Sequence, residues 1–272
     1  MSDTPTSSLT NVAAETKTDP WFNLRRYTAA RIALGRTGGS LPTRELLSFN
    51  QDHAAARDAV HSPLNAEILT EELRTIFPNV LTLSSAASNR PTYLQRPDLG
   101  RSLSSDSRQI LEDLAASSRT AHNTAEGHDL AIIVSDGLSA LAAHRQAVPL
   151  LSALLPKLVA AHWSIAPLCV VRHARVALED EVGSLLHARI ALILLGERPG
   201  LIAPDSLGAY FVYGPKIGNS DAGRNCISNI RPEGLRPNAA ADKLFSLLTA
   251  SHQLQLSGIA LKEEPVVPKL DT

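Results

Sequence analysis

The stretch of sequence that decides the fold is residues 166–200, APLCVVRHARVALEDEVGSLLHARIALILLGERPG. Its segments 166–171 and 190–195 are apolar runs with the length and composition of buried strands, and 179–186 between them has the apolar spacing of a helix. A buried strand, a helix and a second buried strand predict a right-handed βαβ unit of a parallel sheet. Because ligands of such sheets bind beyond the carboxyl ends of the strands, the polar turn after each run predicts a binding site.

The bulk composition narrows the class of protein. The 272-residue chain is 44% hydrophobic, enough for a sizeable core, and its net charge of -1 gives no field that would attract nucleic acid or an anionic membrane. Its two cysteines do not make a disulfide framework. The sequence shows no secretory h-region and no run of the roughly 20 apolar residues that span a bilayer. We therefore expect a soluble cytoplasmic protein with no nucleic-acid and no membrane partner.

The predicted fold class is α/β, with a small helical N-terminal domain followed by a Rossmann-like parallel-sheet domain. The first domain is expected to be helical because its apolar residues follow helical spacing and show no strand alternation. The predicted plan is a disordered tail at 1–20, a helical N-terminal domain at 21–88, a connecting loop and helix at 89–128, a Rossmann-like domain at 129–262 and a frayed tail at 263–272.

Apolar runs, and the proline, glycine and polar residues that separate them, predict the remaining helices, strands and loops. Strands are expected at 130–134 and 208–213, whereas 89–101 and 218–230 are interpreted as loops because of their proline, glycine and polar residues. The predicted helices are 44–60, 66–76, 104–114, 139–143, 148–163 and 239–248. The pattern indicates three or four βα units, with polar turns at 135–137, 172–176, 196–200 and 214–226.

The usual sequence signatures of enzymes are missing from these turns. The first strand–helix turn, Ser135-Asp136-Gly137, lacks the G-x-G-x-x-G set of a dinucleotide site. No stretch matches a P-loop or a G-x-S-x-G nucleophile elbow, and no paired cysteines or closely spaced histidines predict a metal site. A sheet shaped to hold a ligand therefore comes without a recognisable catalytic motif.

Three residues are candidates for contacts with a ligand. Glu197 lies between two glycines and a proline and can accept hydrogen bonds, although a Glu197–Arg198 pair that braces the turn is an equal alternative. Cys226 lies in a polar setting, unlike Cys169, which lies inside a strand. Val176 could pack against a flat organic surface, and its alternative is ordinary packing at a helix entry.

Five motifs occur in order and at consistent spacing across most of 20–262. They are YLxRPDLGR at 93–101, IVSDGLS at 133–139, VRxxRV at 171–176, GERPGL at 196–201 and CISNI at 226–230. With these motifs the chain resembles the small (light) subunit family of ethanolamine ammonia-lyase, an adenosylcobalamin-dependent enzyme. GERPGL together with CISNI is the specific part of the resemblance, because either motif alone would be weak.

The resemblance implies a function and a partner. In that family the cobalamin lies between the small subunit and a large TIM-barrel subunit that carries the substrate site, within a hetero-oligomer. The resemblance also implies that Val176, Glu197 and Cys226 contact the cobalamin and that 129–262 is the cobalamin-binding domain. We expect this chain to supply no catalytic residue and no metal ligand. The implied reaction is the radical rearrangement that deaminates ethanolamine to acetaldehyde and ammonia. The implied location is the cytoplasm, with a bacterial microcompartment as a further possibility.

The missing signatures fit this division of labour, because the cofactor supplies the radical and the protein binds and orients it. The D-x-H-x-x-G pattern, through which some cobalamin proteins supply a histidine to cobalt, is absent, so we expect the corrin to keep its own base. The alternative hypothesis is a non-catalytic scaffold or assembly module with an α/β domain. A self-contained nucleotide-binding enzyme is disfavoured by the missing glycine fingerprint.

Overall fold

The computed structural model describes residues 19–122 and 127–261. The chain divides into two compact units, 1–55 and 56–272. Residues 1–18 of the predicted disordered tail, and all of the predicted frayed tail at 263–272, lie outside the described residues.

The described part of the first unit contains a 3₁₀-helix, Phe22–Tyr27. The first α-helix, α1, covers Thr43–His61 and continues into the second unit. Within the first unit, the guanidinium of Arg31 donates to Asp52 and, at 3.2 Å, to Ser48 on α1. This contact ties the segment before α1 to the helix.

The second unit is organised around a sheet, which has six strands within the described residues. The strands are β1 (Val80–Ser84), β2 (Leu130–Ser135), β3 (Leu168–Arg172), β4 (Ile190–Gly196), β5 (Leu207–Tyr213) and β6 (Arg224–Ile230). Their order is β1-β3-β2-β4-β5-β6, with the first four parallel. Strand β5 is antiparallel to β4, and β6 is antiparallel to β5. The predicted α/β class is confirmed, and the sheet is mixed rather than wholly parallel.

Helices cover both faces of this sheet. The further helices are α2 (Ala66–Arg74), α3 (Arg90–Gln95), α4 (Ser105–His122), α5 (Ala140–Ala160), α6 (Leu178–Leu185) and α7 (Pro237–Leu254). Apolar residues of α2, α5 and α7 form one core against the sheet, and those of α4 and α6 form a second core on the opposite face. Every residue of β2 and of β4 is buried, which explains their continuous apolar sequences. No helix among the described residues is long and apolar enough to cross a membrane.

Three predictions about the first half of the second unit are wrong. Residues 80–84 lie in the region interpreted as helical, but they form the edge strand β1, whose alternation is obscured by its polar residues. The predicted loop at 89–101 contains α3, which Asn89 caps by accepting from the Thr92 N–H. The two helices predicted within 139–163 are the single helix α5, because its buried apolar stripe outweighs the lost hydrogen bonds of two internal prolines.

The prediction for the end of the sheet is also wrong. Residues 224–230 were interpreted as part of a polar loop, yet they form β6, an edge strand in which only a few apolar residues face the core. Because β5 runs antiparallel to β4, the turn at Gly214 that follows β5 lies at the opposite edge from the turn at Glu197. Cys226 therefore lies within a strand rather than in a fourth turn at the carboxyl edge.

The turns after β2 and β4 meet at the carboxyl edge of the sheet. The Leu138 N–H donates to the Gly196 carbonyl at 2.8 Å, and a Cβ atom at residue 196 would lie 2.0 Å from the carbonyl oxygen of Ser139 and 2.4 Å from that of Asp136. The close approach of two backbones thus requires glycine at residue 196.

This packing makes Gly196→Ala a severe substitution. We expect it to lower the free energy of unfolding by about 3 kcal/mol, because the new methyl group must displace backbone atoms. The matched control is Gly200→Ala, where the added Cβ would meet nothing closer than 3.8 Å, so the change should stay within about 0.5 kcal/mol. Urea denaturation followed by circular dichroism measures both changes. Equal stability of the two variants would contradict the packing described here.

Candidate functional site

The buried carboxylate of Asp136 joins the turns that follow β2 and β3. One of its oxygens accepts from the backbone N–H of His173 at 2.7 Å and from the Ser135 hydroxyl at 3.0 Å. The other accepts from the Arg90 guanidinium at 2.8 Å, and the same guanidinium nitrogen donates to the Gly137 carbonyl at 2.7 Å. Because Asp136 and Arg90 are both buried, charge-assisted hydrogen bonds compensate their desolvation.

The turn after β3 is held through its backbone by segments from elsewhere in the chain. His173 lies in the left-handed region with a φ of 61°, where a non-glycine residue needs support. Two backbone N–H groups of the turn donate to other segments: Ala174 to Ser135 Oγ at 3.0 Å, and Arg175 to the Gly100 carbonyl at 2.7 Å. Two of its carbonyls accept from side-chain hydroxyls: that of His173 from Ser85 Oγ at 2.8 Å, and that of Ala174 from Tyr93 Oη at 3.1 Å. The turn that leads to Val176 is therefore fixed.

The structure places Val176 between this turn and α6. Its side chain is half-buried and packs against the core on the α4 and α6 face of the sheet. Tyr210 of β5 packs against the same core. Val176 is thus partly a packing residue, as its alternative interpretation proposed, and part of its side chain stays accessible.

Glu197 directly follows β4 and is half-buried. Its Oε2 accepts from the Ser206 hydroxyl at 2.6 Å and from the Asn229 N–H at 3.1 Å, so this oxygen is anchored to the segments on either side. Among the described residues, no hydrogen bond reaches Oε1 and no ion pair joins Glu197 to Arg198. A carboxylate with one anchored oxygen and one open oxygen is prepared to accept a hydrogen bond from a ligand.

Cys226 and Tyr210 lie opposite each other in the β5–β6 register, on the face covered elsewhere by α4 and α6. Cys226 is an exposed residue, although neighbouring groups partly shield its thiol from water. Partial burial raises the pKa of Cys226, the nearby charges of Glu197 and Glu179 raise it further, and a hydrogen bond with Tyr210 opposes the shift. Burial is also the main cause of the raised pKa of Tyr210, with Cys226 and Glu197 adding to it. The β5–β6 register places Tyr210 beside Cys226, and Tyr210 Cε2 and Glu197 Oε1 lie 2.8 Å and 3.0 Å from the same Cβ position on Gly208, so the three residues lie close together.

A glycine lets the carboxylate and the tyrosine ring share this small area. A Cβ atom at Gly208 would lie 3.0 Å from Glu197 Oε1 and 2.8 Å from Tyr210 Cε2. Both side chains therefore occupy the space that another residue would fill.

The resulting surface combines hydrogen-bonding groups with apolar area. Glu197 offers a hydrogen-bond acceptor, Cys226 a polarizable thiol and Tyr210 a hydroxyl group. Val176, at the turn after β3, offers an apolar contact. No group of three or more His, Cys, Asp or Glu side chains within the described ranges could hold a metal ion. The described residues of this surface therefore offer hydrogen-bonding and apolar contacts but no metal site.

Sequence reasoning names Val176, Glu197 and Cys226 as candidates, and it does not name the residues that surround Glu197 and Cys226 in the structure. Tyr210 could have been found from the period-2 alternation of 208–213, which puts it on the same face as Gly208. The anchors Ser206 and Asn229 carry no comparable signal, because their roles depend on how β5 and β6 return beside β4.

The fold defines a class of protein: an α/β chain whose sheet is parallel from β1 to β4 and ends in two antiparallel strands, with Glu197, Tyr210 and Cys226 grouped at that end. The family model for the ethanolamine ammonia-lyase light chain matches residues 18–262. The chain is 53% identical over 254 residues to the ethanolamine ammonia-lyase small subunit of Pseudomonas fluorescens, covering 93% of this chain and 90% of that protein. It is 53% identical over 253 residues to the small subunit of Azotobacter vinelandii, covering 93% and 92%.

A third relative, the ethanolamine ammonia-lyase small subunit of Pseudomonas syringae, is 49% identical over 272 residues, covering 100% of this chain and 92% of the relative. The resemblance stated from the motifs is confirmed. The chain belongs to the ethanolamine ammonia-lyase light chain family.

The two thiols should differ sharply in reactivity. We expect iodoacetamide at pH 7.5 to modify Cys226 alone, and more slowly than a cysteine in a free peptide, because its raised pKa lowers the thiolate fraction. Cys169 is fully buried and its pKa is raised to about 12, so it should stay unmodified.

The substitution Glu197→Gln should speed the modification of Cys226, because it removes a negative charge beside the Cys226 thiol. Intact-mass spectrometry, with Cys226→Ser as the control, follows the reaction, and alkylation of Cys169 would contradict the structure.

Proposed function

We propose that this chain is the small subunit of an adenosylcobalamin-dependent ethanolamine ammonia-lyase and binds the cobalamin at the interface with the large subunit. The observation that carries the proposal is the grouping of Glu197, Tyr210 and Cys226 around β5 and β6, in a chain of this family that also carries Val176 at the turn after β3. The relatives are small subunits of ethanolamine ammonia-lyase, which supports a large subunit as the partner in a hetero-oligomer.

The side chains at this surface fit the periphery of a corrin. A corrin rim carries amide groups, which can donate to the open Oε1 of Glu197 and contact the Cys226 thiol. The apolar part of the macrocycle can pack on Val176. Anchoring of Glu197 Oε2 by Ser206 and Asn229 fixes the carboxylate before the ligand arrives, which reduces the entropy cost of binding.

The reaction assigned to the whole enzyme is the deamination of ethanolamine to acetaldehyde and ammonia. When bound, adenosylcobalamin supplies a radical by homolysis of its cobalt–carbon bond. The task of this chain is to bind and orient one side of the corrin and to exclude water from it. We propose no catalytic residue and no cobalt ligand in this chain, and we place the substrate site on the large subunit.

The proposed partners and location follow from the same assignment. We expect the large subunit as the protein partner, with no nucleic acid and no membrane, in the cytoplasm or within a bacterial microcompartment. The competing function is a non-catalytic scaffold that keeps the α/β domain without a ligand. Co-purification with the large subunit and the red absorption spectrum of bound cobalamin distinguish the two.

Glu197→Ala should weaken cobalamin binding without preventing assembly with the large subunit. Loss of one charge-assisted hydrogen bond predicts a dissociation constant for cyanocobalamin about 10 to 100 times higher. The binding is measured by visible difference spectroscopy on the co-purified complex, and size-exclusion chromatography monitors assembly.

The matched control for this prediction is Asp242→Ala. Asp242 is an exposed carboxylate on α7, on the opposite face of the sheet, and pairs with Lys157 at 2.8 Å. This variant should bind cyanocobalamin like the wild type. Unchanged affinity in Glu197→Ala would remove Glu197 from the site.

A further inference from the structure

The first turn of α6 contains three consecutive acidic residues, and all of them are buried. Glu179, Asp180 and Glu181 are 0%, 2% and 4% exposed. Glu181 faces α4, where it accepts from the Arg108 guanidinium at 2.6 Å, and it also accepts from the Leu103 N–H at 2.8 Å. Glu179 and Asp180 instead face β6. The start of α6 is thus held by ionic contacts from two directions.

Arg224, the first residue of β6, completes an ion triad with Glu179 and Asp180. Its Nη1 donates to Glu179 Oε1 at 2.7 Å and to Asp180 Oδ1 at 3.1 Å, and its Nη2 donates to Asp180 Oδ2 at 2.6 Å. The Arg224 side chain is only 3% exposed. The planar fork of the guanidinium therefore fixes both the distance and the orientation between α6 and β6.

Asn219 closes the triad from the loop before β6. Its side-chain amide donates to Asp180 Oδ1 at 3.2 Å, and its backbone carbonyl accepts from Arg224 Nη2 at 3.3 Å. The loop thus joins the same network, which spans three segments of the chain.

The triad is a poor source of stability, because burying its charged groups costs desolvation free energy. Two carboxylates share one guanidinium in a fully buried place, Glu179 Oε2 has no hydrogen-bond partner among the described residues, and burial raises the pKa of Glu179 well above its ordinary value. Apolar residues of similar volume often stabilise such a place as well or better. The directional contacts provide what apolar packing does not, a single defined geometry.

The position of the triad indicates what that geometry serves. Glu179 follows Val176 by three residues, and Arg224 precedes Cys226 by two residues, on the same face of β6. The triad therefore links the two segments that carry an apolar contact and a polar contact of the proposed cobalamin surface.

We propose that the Arg224–Glu179–Asp180 triad is a positioning device that sets the separation of Val176 and Cys226 and thereby the fit of the corrin. This inference rests on the proposed function of the surface. None of the three side chains needs to touch the cofactor, because all three are buried within this chain.

The decisive variant replaces the triad with uncharged side chains, Arg224→Met with Glu179→Leu and Asp180→Asn. We expect its melting temperature and its assembly with the large subunit to stay near those of the wild type, because neutral replacement of a buried ion triad costs little stability. Its dissociation constant for cyanocobalamin should rise about tenfold, because the surface is no longer held in one geometry. A purely structural role would leave the affinity unchanged once stability is kept.

A second variant keeps the test decisive if the triple variant does not assemble. Arg224→Lys retains the charge but loses the fork, and it should also weaken cyanocobalamin binding in the assembled complex. Lys157→Gln, which removes a surface pair on the opposite face, is the control and should bind normally. Wild-type affinity in the decisive variant overturns the positioning role. Failure of the wild-type complex to bind cyanocobalamin would instead overturn the proposed function.

Discussion

The structure depends on bringing the ends of buried parallel strands together at one edge of the sheet. Strands β2, β3 and β4 lie side by side, so their turns meet, and their backbone groups must find partners there. Asp136 and Gly196 meet this requirement in different ways. Asp136 binds the turn after β3 with a buried carboxylate, and Gly196 allows the turns after β2 and β4 to touch. The turn that carries Val176 and the turn that carries Glu197 are both fixed as a result.

The proposed function follows from what Glu197 at this edge and the neighbouring strands β5 and β6 present rather than from a catalytic motif. Glu197 has one oxygen anchored and one open, Cys226 is exposed, and Tyr210 lies opposite Cys226 in the neighbouring strand. In the proposed function these groups bind and orient the cofactor. A division of labour in which the partner chain holds the substrate is consistent with such a surface. The buried triad at the start of α6 suits the same task, because orientation demands a defined geometry more than high stability.

The sequence predicted the centre of the fold well and its borders poorly. The strands β2 and β4 and the helix α6 followed directly from apolar runs and helical spacing, because burial on both faces leaves a strong signal. Edge strands β1 and β6 were missed, because one side of each meets polar surroundings. Glu197 is a candidate from its local setting and from the family resemblance, and its role stays a prediction. Tyr210 and Arg224 were not found, because their contacts depend on the antiparallel return of β5 and β6.

The most direct test of the central claim is an experimental structure of this chain in complex with the large subunit and cobalamin. The account predicts that the corrin lies against Val176, Glu197 and Cys226, with a rim amide on Glu197 Oε1 and no side chain of this chain bound to cobalt. A corrin held far from these residues, with the β4–β6 surface facing bulk solvent or covered by protein alone, would contradict it.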